Sequence, residues 1–320
     1  MALIPLRLVP ADTKIDFIGR RNLAFVFSAV LMALSVGFFA VKGLNYGIDF
    51  KGGILMEVRT PGAADLPELR DKLSGLGLGE VALQEFGVPT DVLIRVERQP
   101  GGEKAQLRAV DTVKQALGSD VASYRRVEFV GPKVGGELKQ AGILATVLAL
   151  AGIGVYIWFR FEWQFAAAAL AALIHDILST LGFFALIQIE FNLATLAAVL
   201  TIAGYSINDT VVIFDRVRET LRKYKKLYIL DLLNLALNGT LTRTVLTSVT
   251  TLIALTCLFA FGGQVIRGFS AGLIWGIVIG TYSSIGLAVP LLSFMNLRGM
   301  TGGEEASKAA EGAEEPAAGQ

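Results

Sequence analysis

Residues 192–219 read NLATLAAVLTIAGYSINDTVVIFDRVRE. The first half carries no charge, while four of the last five residues do. About 20 consecutive apolar residues cross a bilayer as a helix, because hydrocarbon satisfies no backbone polar group. The stretch therefore predicts a transmembrane helix over 192–215 ending in a charged rim. Asn208 and Asp209 interrupt it before that rim. A charge near the middle of a bilayer costs on the order of 3 kcal/mol, so such residues face a bundle interior or a wet path.

The rest of the chain shares this character. Of 320 residues 53% are hydrophobic and only 18% charged, against about a quarter charged in soluble domains. The mean hydropathy is +0.57. Five more apolar blocks span 22–41, 139–159, 165–187, 243–261 and 268–292. The first follows Arg7, Lys14, Arg20 and Arg21 but has no small-residue cleavage site, which marks a retained anchor rather than a cleaved signal. Between spans four and five lie Arg216, Arg218, Arg222, Lys223, Lys225 and Lys226; the exit of span six carries Arg298, and the loop 188–191 has no cation. By the excess of positive charge on cytoplasmic loops, both termini are expected inside and 42–138 outside.

The predicted organisation is a cytoplasmic tail 1–21, span one at 22–41, an extracytoplasmic domain 42–138, a five-helix bundle 139–298 and a disordered acidic tail 299–320. The outer segment reads as strand ILMEVRT, helix DLPELRDKLSGLG, strands VALQEF and DVLIRVER joined by a GVPT turn, helix EKAQLRAVDTVKQALG, and strand VASYRRVEFVG. In the second helix Leu107, Val110, Val113 and Leu117 fall at helical spacing. This β-α-β-β-α-β order is the ferredoxin-like, α+β pattern. The fold class is thus an α-helical polytopic membrane protein with six spans and one ferredoxin-like outer domain.

No nucleophile–base pair, metal spacing or phosphate loop occurs, which argues against an enzyme and against a metal or other cofactor. A net charge of +1 with no aromatic-laced basic tract gives no reason for nucleic-acid binding. The lone Cys257 reads as core. Asp209 is the leading candidate for proton exchange, with Tyr205 and Thr201 one and two turns earlier on its stripe and Asn208 beside it. Arg243, opening span five, is expected at matching depth, a loop of about 27 residues letting spans four and five lie side by side. His175, Asp176, Tyr205 and Thr247 are candidates for relay or packing. Gly272, Gly276 and Gly280 form a close-packing seam.

GIDFKGG at 47–53, HDILSTLGFF in span three, GYSINDTVVIFDRVRE across span four and LNGTLTRTVLTSVTTL into span five resemble, in order and spacing, the SecD/SecF family of bacterial protein-export proteins, relatives of the resistance-nodulation-division exporters. The small outer domain resembles the smaller of the family's two subunits. That resemblance implies pairing with SecD beside the SecYEG channel, the SecA motor and YajC in the bacterial inner membrane. It implies use of the proton-motive force, with protons as the coupling ion, to draw an exported polypeptide outward. It places the family's intramembrane aspartate on Asp209 and its arginine on Arg243. Gly47, Asp49, Gly52 and Gly53 are then expected to form a hinge between span one and the outer domain. A small-molecule exporter and a purely structural scaffold for SecD are the alternatives.

Overall fold

A computed structural model describes residues 13–297. The expected tail residues 1–12 and 299–320, and Arg298, lie outside the described residues. Six helices are long and apolar enough to cross a membrane: α1 (Arg21–Lys42), α5 (Pro132–Arg160), α6 (Trp163–Ile187), α7 (Leu193–Lys223), α8 (Ile229–Phe261) and α9 (Gln264–Ser283). The last runs on through a π-turn at Ser284–Ala288 into α10 (Val289–Leu292). Pro290 has no N–H to return to the carbonyl of Gly286, which explains the wider turn there.

Sequence explains several helix ends. Pro132 at the first turn starts α5. Asn192 and Thr195 form a reciprocal capping box on α7: Thr195 N–H donates to Asn192 Oδ1 at 3.0 Å, and Asn192 N–H to Thr195 Oγ1 at 2.8 Å. Arg222 and Lys223 complement the negative end of the same helix. The apolar pattern marks only the bilayer-crossing part of each helix. The expected 27-residue loop between spans four and five is therefore mostly helix, with α7 and α8 running on and joined by residues 224–228. Arg, Lys, Glu and Leu are good helix formers in water too.

In the bundle α6, α7 and α9 are central, and α1, α5 and α8 bury little of their surface within the chain. Cys257 accordingly lies exposed on α8 rather than in a core. The glycine seam holds α9 against its neighbours. A Cβ on Gly272 would lie 2.6 Å from Phe184 Cζ, and one on Gly280 would lie 3.0 Å from Ser206 Cβ.

Between α1 and α5 a short helix α2 (Ile48–Lys51) leads into the α+β domain expected outside the membrane: β1 (Gly53–Arg59), α3 (Leu66–Ser74), β2 (Val81–Phe86), β3 (Val88–Val96), α4 (Glu103–Leu117) and β4 (Ser123–Val130). The sheet order is β2-β3-β1-β4, every pair antiparallel. Along β1, Ile54, Met56 and Val58 are buried against Leu69, Leu73, Val110, Val113 and Leu117 of α3 and α4. Leu55 points the other way and joins Ile48 and Leu93 in a second apolar cluster, as the period of two requires.

Two local expectations are corrected. GVPT is not a turn: β3 begins at Val88, leaving Gly87 alone, at φ +88°, to reverse the chain. Leu107 is exposed, and its neighbour Gln106 is buried instead. Gln106 Nε2 donates to the Gln99 carbonyl at 2.7 Å, which offsets the cost of burying an amide.

Candidate functional site

Two aspartates lie inside the bundle, and their surroundings are opposite. Asp176 on α6 is fully buried. Its Oδ2 accepts hydrogen bonds from Ser206 Oγ of α7 at 2.6 Å and Ser283 Oγ of α9 at 2.7 Å. His175 Nδ1 lies 3.0 Å from Oδ1. One carboxylate thus ties the three central helices together. Beside it Thr210 Oγ1 and Ser284 Oγ pair at 2.8 Å, and Trp275 Nε1 donates to Ser179 Oγ at 3.1 Å. His175 and Asp176 diverge by about 100° at their Cα atoms, yet the imidazole bends back onto its neighbour, and its Nε2 is buried with no partner.

Asp209 on α7 is buried too, 4% exposed, but almost undressed. The Thr247 hydroxyl of α8 stands 3.5 Å from its Oδ1, at the outer limit of a hydrogen bond. That hydroxyl also lies 3.1 and 3.0 Å from the carbonyls of Arg243 and Thr244. Asp209 Oδ2 and Thr244 Oγ1 are buried without a hydrogen-bond partner. Tyr205 OH donates to Thr251 Oγ1 at 3.2 Å, one further contact from α7 to α8.

The structure brings Asp209, Thr247 and Tyr205 to the α7–α8 contact, and sets His175 and Asp176 into a separate centre. Asn208 is exposed, correcting its expected place in the buried polar element, since adjacent helical residues face different ways. Arg243 is exposed one turn from Thr247, and among the described residues it forms no ion pair within 4.0 Å. At the rim, Asp215 pairs with Arg160 of α5 at 3.2 Å, not with adjacent Arg216, which bonds Glu219 at 2.6 Å. Sequence reading missed Ser206, Thr210, Ser283 and Ser284. The only signal was their position, Ser206 one turn before Asp209, Thr210 next to it, and Ser283 and Ser284 one turn after Gly280, on faces that pattern alone does not pair.

Of the expected hinge residues, Gly52 and Gly53 use the freedom of glycine, at φ +74° and +126°, while Gly47 sits at an ordinary φ of −72°. A Cβ on Gly53 would lie 2.8 Å from the Val96 carbonyl. Asp49 Oδ2 accepts from the backbone N–H of Leu193, the first residue of α7, at 2.8 Å. Glu190, between α6 and α7, forms an ion pair with Arg95 of β3. Burial pushes its carboxyl above the usual range, against the pull of Arg95.

Six spans, one α+β domain after the first, and buried acids between the helices define a polytopic membrane protein whose ionisable groups are held at helix–helix contacts. Residues 109–298 match the family model for the C-terminal part of the protein export membrane protein SecD/SecF, and residues 37–60 match the SecD/SecF GG motif. The chain belongs to the SecD/SecF family. It is 46% identical over 300 residues to protein translocase subunit SecF of Rickettsia rickettsii, covering 92% of this chain and 97% of that one. SecF of Rickettsia prowazekii is 45% identical over 296 residues, covering 92% and 94%. The crystal structure of SecDF from Thermus thermophilus superposes with a TM-score of 0.80 at 34% identity, over 89% of this chain. A super-membrane-facing form of SecDF gives 0.65 at 32% identity over 96%. This chain spans 39% and 41% of those two SecDF chains.

Proposed function

We propose that this chain is the SecF-type subunit of a Sec translocase. It pairs with a SecD-type partner in the bacterial inner membrane and uses the proton-motive force to promote polypeptide export. SecYEG, SecA and YajC are the further partners this reading implies. Asp209 is the proton-carrying group, and the observation that supports this is the contrast between the two buried acids. Asp176 has both oxygens engaged, Oδ2 by the hydroxyls of Ser206 and Ser283 and Oδ1 by the His175 ring. On Asp209 a proton meets a bare oxygen and disturbs no network.

Both termini lie on the cytoplasmic side in this reading and the sheet domain outside. Asn208 and Arg243, exposed on the outer faces of α7 and α8, lie where a SecD-type partner would cover them. A charge exchanged at Asp209 then acts on Thr247 and Arg243 across the α7–α8 contact. One proton moving down 100 mV releases about 2.3 kcal/mol, enough to bias two packings of the bundle but not to unfold a cargo in one step. The bias requires that the two packings bind the proton with different affinity. Export into membrane vesicles, with and without a proton gradient, tests the assignment. Asp209→Asn should abolish the gradient-dependent component and leave the ATP-driven one. Retention of the gradient-dependent component would overturn it.

A further inference from the structure

Helix α7 carries Asp209 in its middle and begins at the foot of the outer domain. The foot also meets α5, which follows β4 directly and passes close to the main chain of Asp49 and Phe50 at Gly135, but its attachment to α7 gathers on residues 188–192 between α6 and α7 and on Leu193. Phe191 N–H donates to the Asn45 carbonyl at 2.7 Å, and Gly47 N–H returns to the Phe191 carbonyl at 2.9 Å. Asn45 Nδ2 donates to the Gln188 carbonyl at 3.0 Å, and Gln188 Nε2 to that of Gly43 at 3.1 Å. Thus the connection is zipped, main chain to main chain, onto the segment leaving α1.

Side chains complete the attachment on both sides. Phe50 and Phe191 stack at 5.9 Å, and Tyr46 meets both rings edge-on. Asp49 caps the first turn of α7. Glu190 lies where a Cβ on Gly47 would stand, and reaches Arg95 in the second strand from the sheet edge. Asp49, at the N-terminus of α7, is favourably placed for the helix dipole. A tilt of α7 at the membrane centre therefore moves Glu190 and Arg95 with it.

We propose that residues 188–192 are the strap that carries movement of α7 to the outer domain, with Glu190 and Arg95 as its positioning pair and Asp49 as its anchor. The strap deepens the reading above and rests on it for the source of the movement. Its action needs no loop closure or unfolding, because α7 is one continuous helix from Leu193 to Lys223.

The test uses the full chain with its partner in liposomes, in a Cys257→Ser background. Spin labels at exposed Gln115 of α4 and exposed Val41 of α1 report the position of the outer domain. An imposed proton gradient should shift the distance between them. Glu190→Arg and Arg95→Glu should each reduce the gradient-dependent shift in population about tenfold, the size of an ordinary coupling between two sites. The double exchange should restore it. Glu190→Gln, which keeps size and loses only charge, should show the same loss and guards against a misfolded reversal. An undiminished shift in Glu190→Arg and Glu190→Gln, or a double exchange no better than the singles, overturns the strap. A shift absent from Asp209→Asn but intact in the Glu190 variants overturns the strap alone. The converse overturns the role of Asp209 and leaves the strap standing. No shift in the unsubstituted protein overturns both.

Discussion

Gly276→Ala should separate the central helices. The new Cβ would overlap Cγ1 and Cδ1 of Ile202 and lie 2.8 Å from its Cγ2, where carbons ordinarily sit about 3.5–4.0 Å apart. Ile202 is 1% exposed and sits in an apolar cluster with Ala198, Leu255, Leu273 and Ile277. Either it leaves its rotamer or α9 withdraws from α7 by about 1 Å, an overpacking cost of about 1–3 kcal/mol. The same withdrawal stretches the bond between Thr210 of α7 and Ser284 (2.8 Å) past the useful limit of about 3.2 Å. That bond is worth about 1 kcal/mol, so the total destabilisation should be about 2–4 kcal/mol. Thermal unfolding followed by fluorescence suits the question, because Trp275, next to the substituted position on α9, stacks on Phe183 of α6 at 4.8 Å. Gly204→Ala on α7 is the control: its Cβ would meet nothing within 4 Å, and it should be neutral or stabilising by up to about 1 kcal/mol. Ile202→Ala should rescue most of the Gly276→Ala loss, as a double-mutant cycle would show. Equal stability of Gly276→Ala and Gly204→Ala would refute the reasoning.

Two further outcomes are expected. Asp176→Leu should cost about 3 kcal/mol, since Ser206 and Ser283 lose a shared buried acceptor, whereas Asp176→Asn should keep most of the stability through its remaining oxygen. Equal melting of the two variants would show that Asp176 is not the tie. In the outer domain, the bond from Arg59 holds Asp91 below the usual carboxylate range, with Arg125 adding to the effect. A depressed carboxylate stabilises the fold above its unfolded pKa of about 3.9, and that contribution is lost as pH falls through the folded value. Protection factors of the β1 and β3 amides in the full chain, which divide out the intrinsic pH dependence of exchange, should therefore fall on acidification. Asp91→Asn should be less protected at neutral pH and lose that acid dependence; an unchanged acid dependence would remove Asp91 as the cause.

The sequence by itself determined the six spans, because an apolar run of about 20 residues has one low-energy state in a bilayer. It also determined the element order of the outer domain, where β1 alternates in period two and α3 carries its own caps. Asp209 was legible as an expensive residue. Three things were decided only by tertiary structure. The serines that saturate Asp176 come from helices 30 and 107 residues away, and no local pattern pairs a hydroxyl with so distant an acid. Asn208 and Leu107 face outward because the direction a helix presents is fixed by what packs on it; Gln106 could go inside because Gln99 met it. The two intramembrane aspartates look alike in sequence. Hydrogen bonding across the bundle made one a tie and left the other bare.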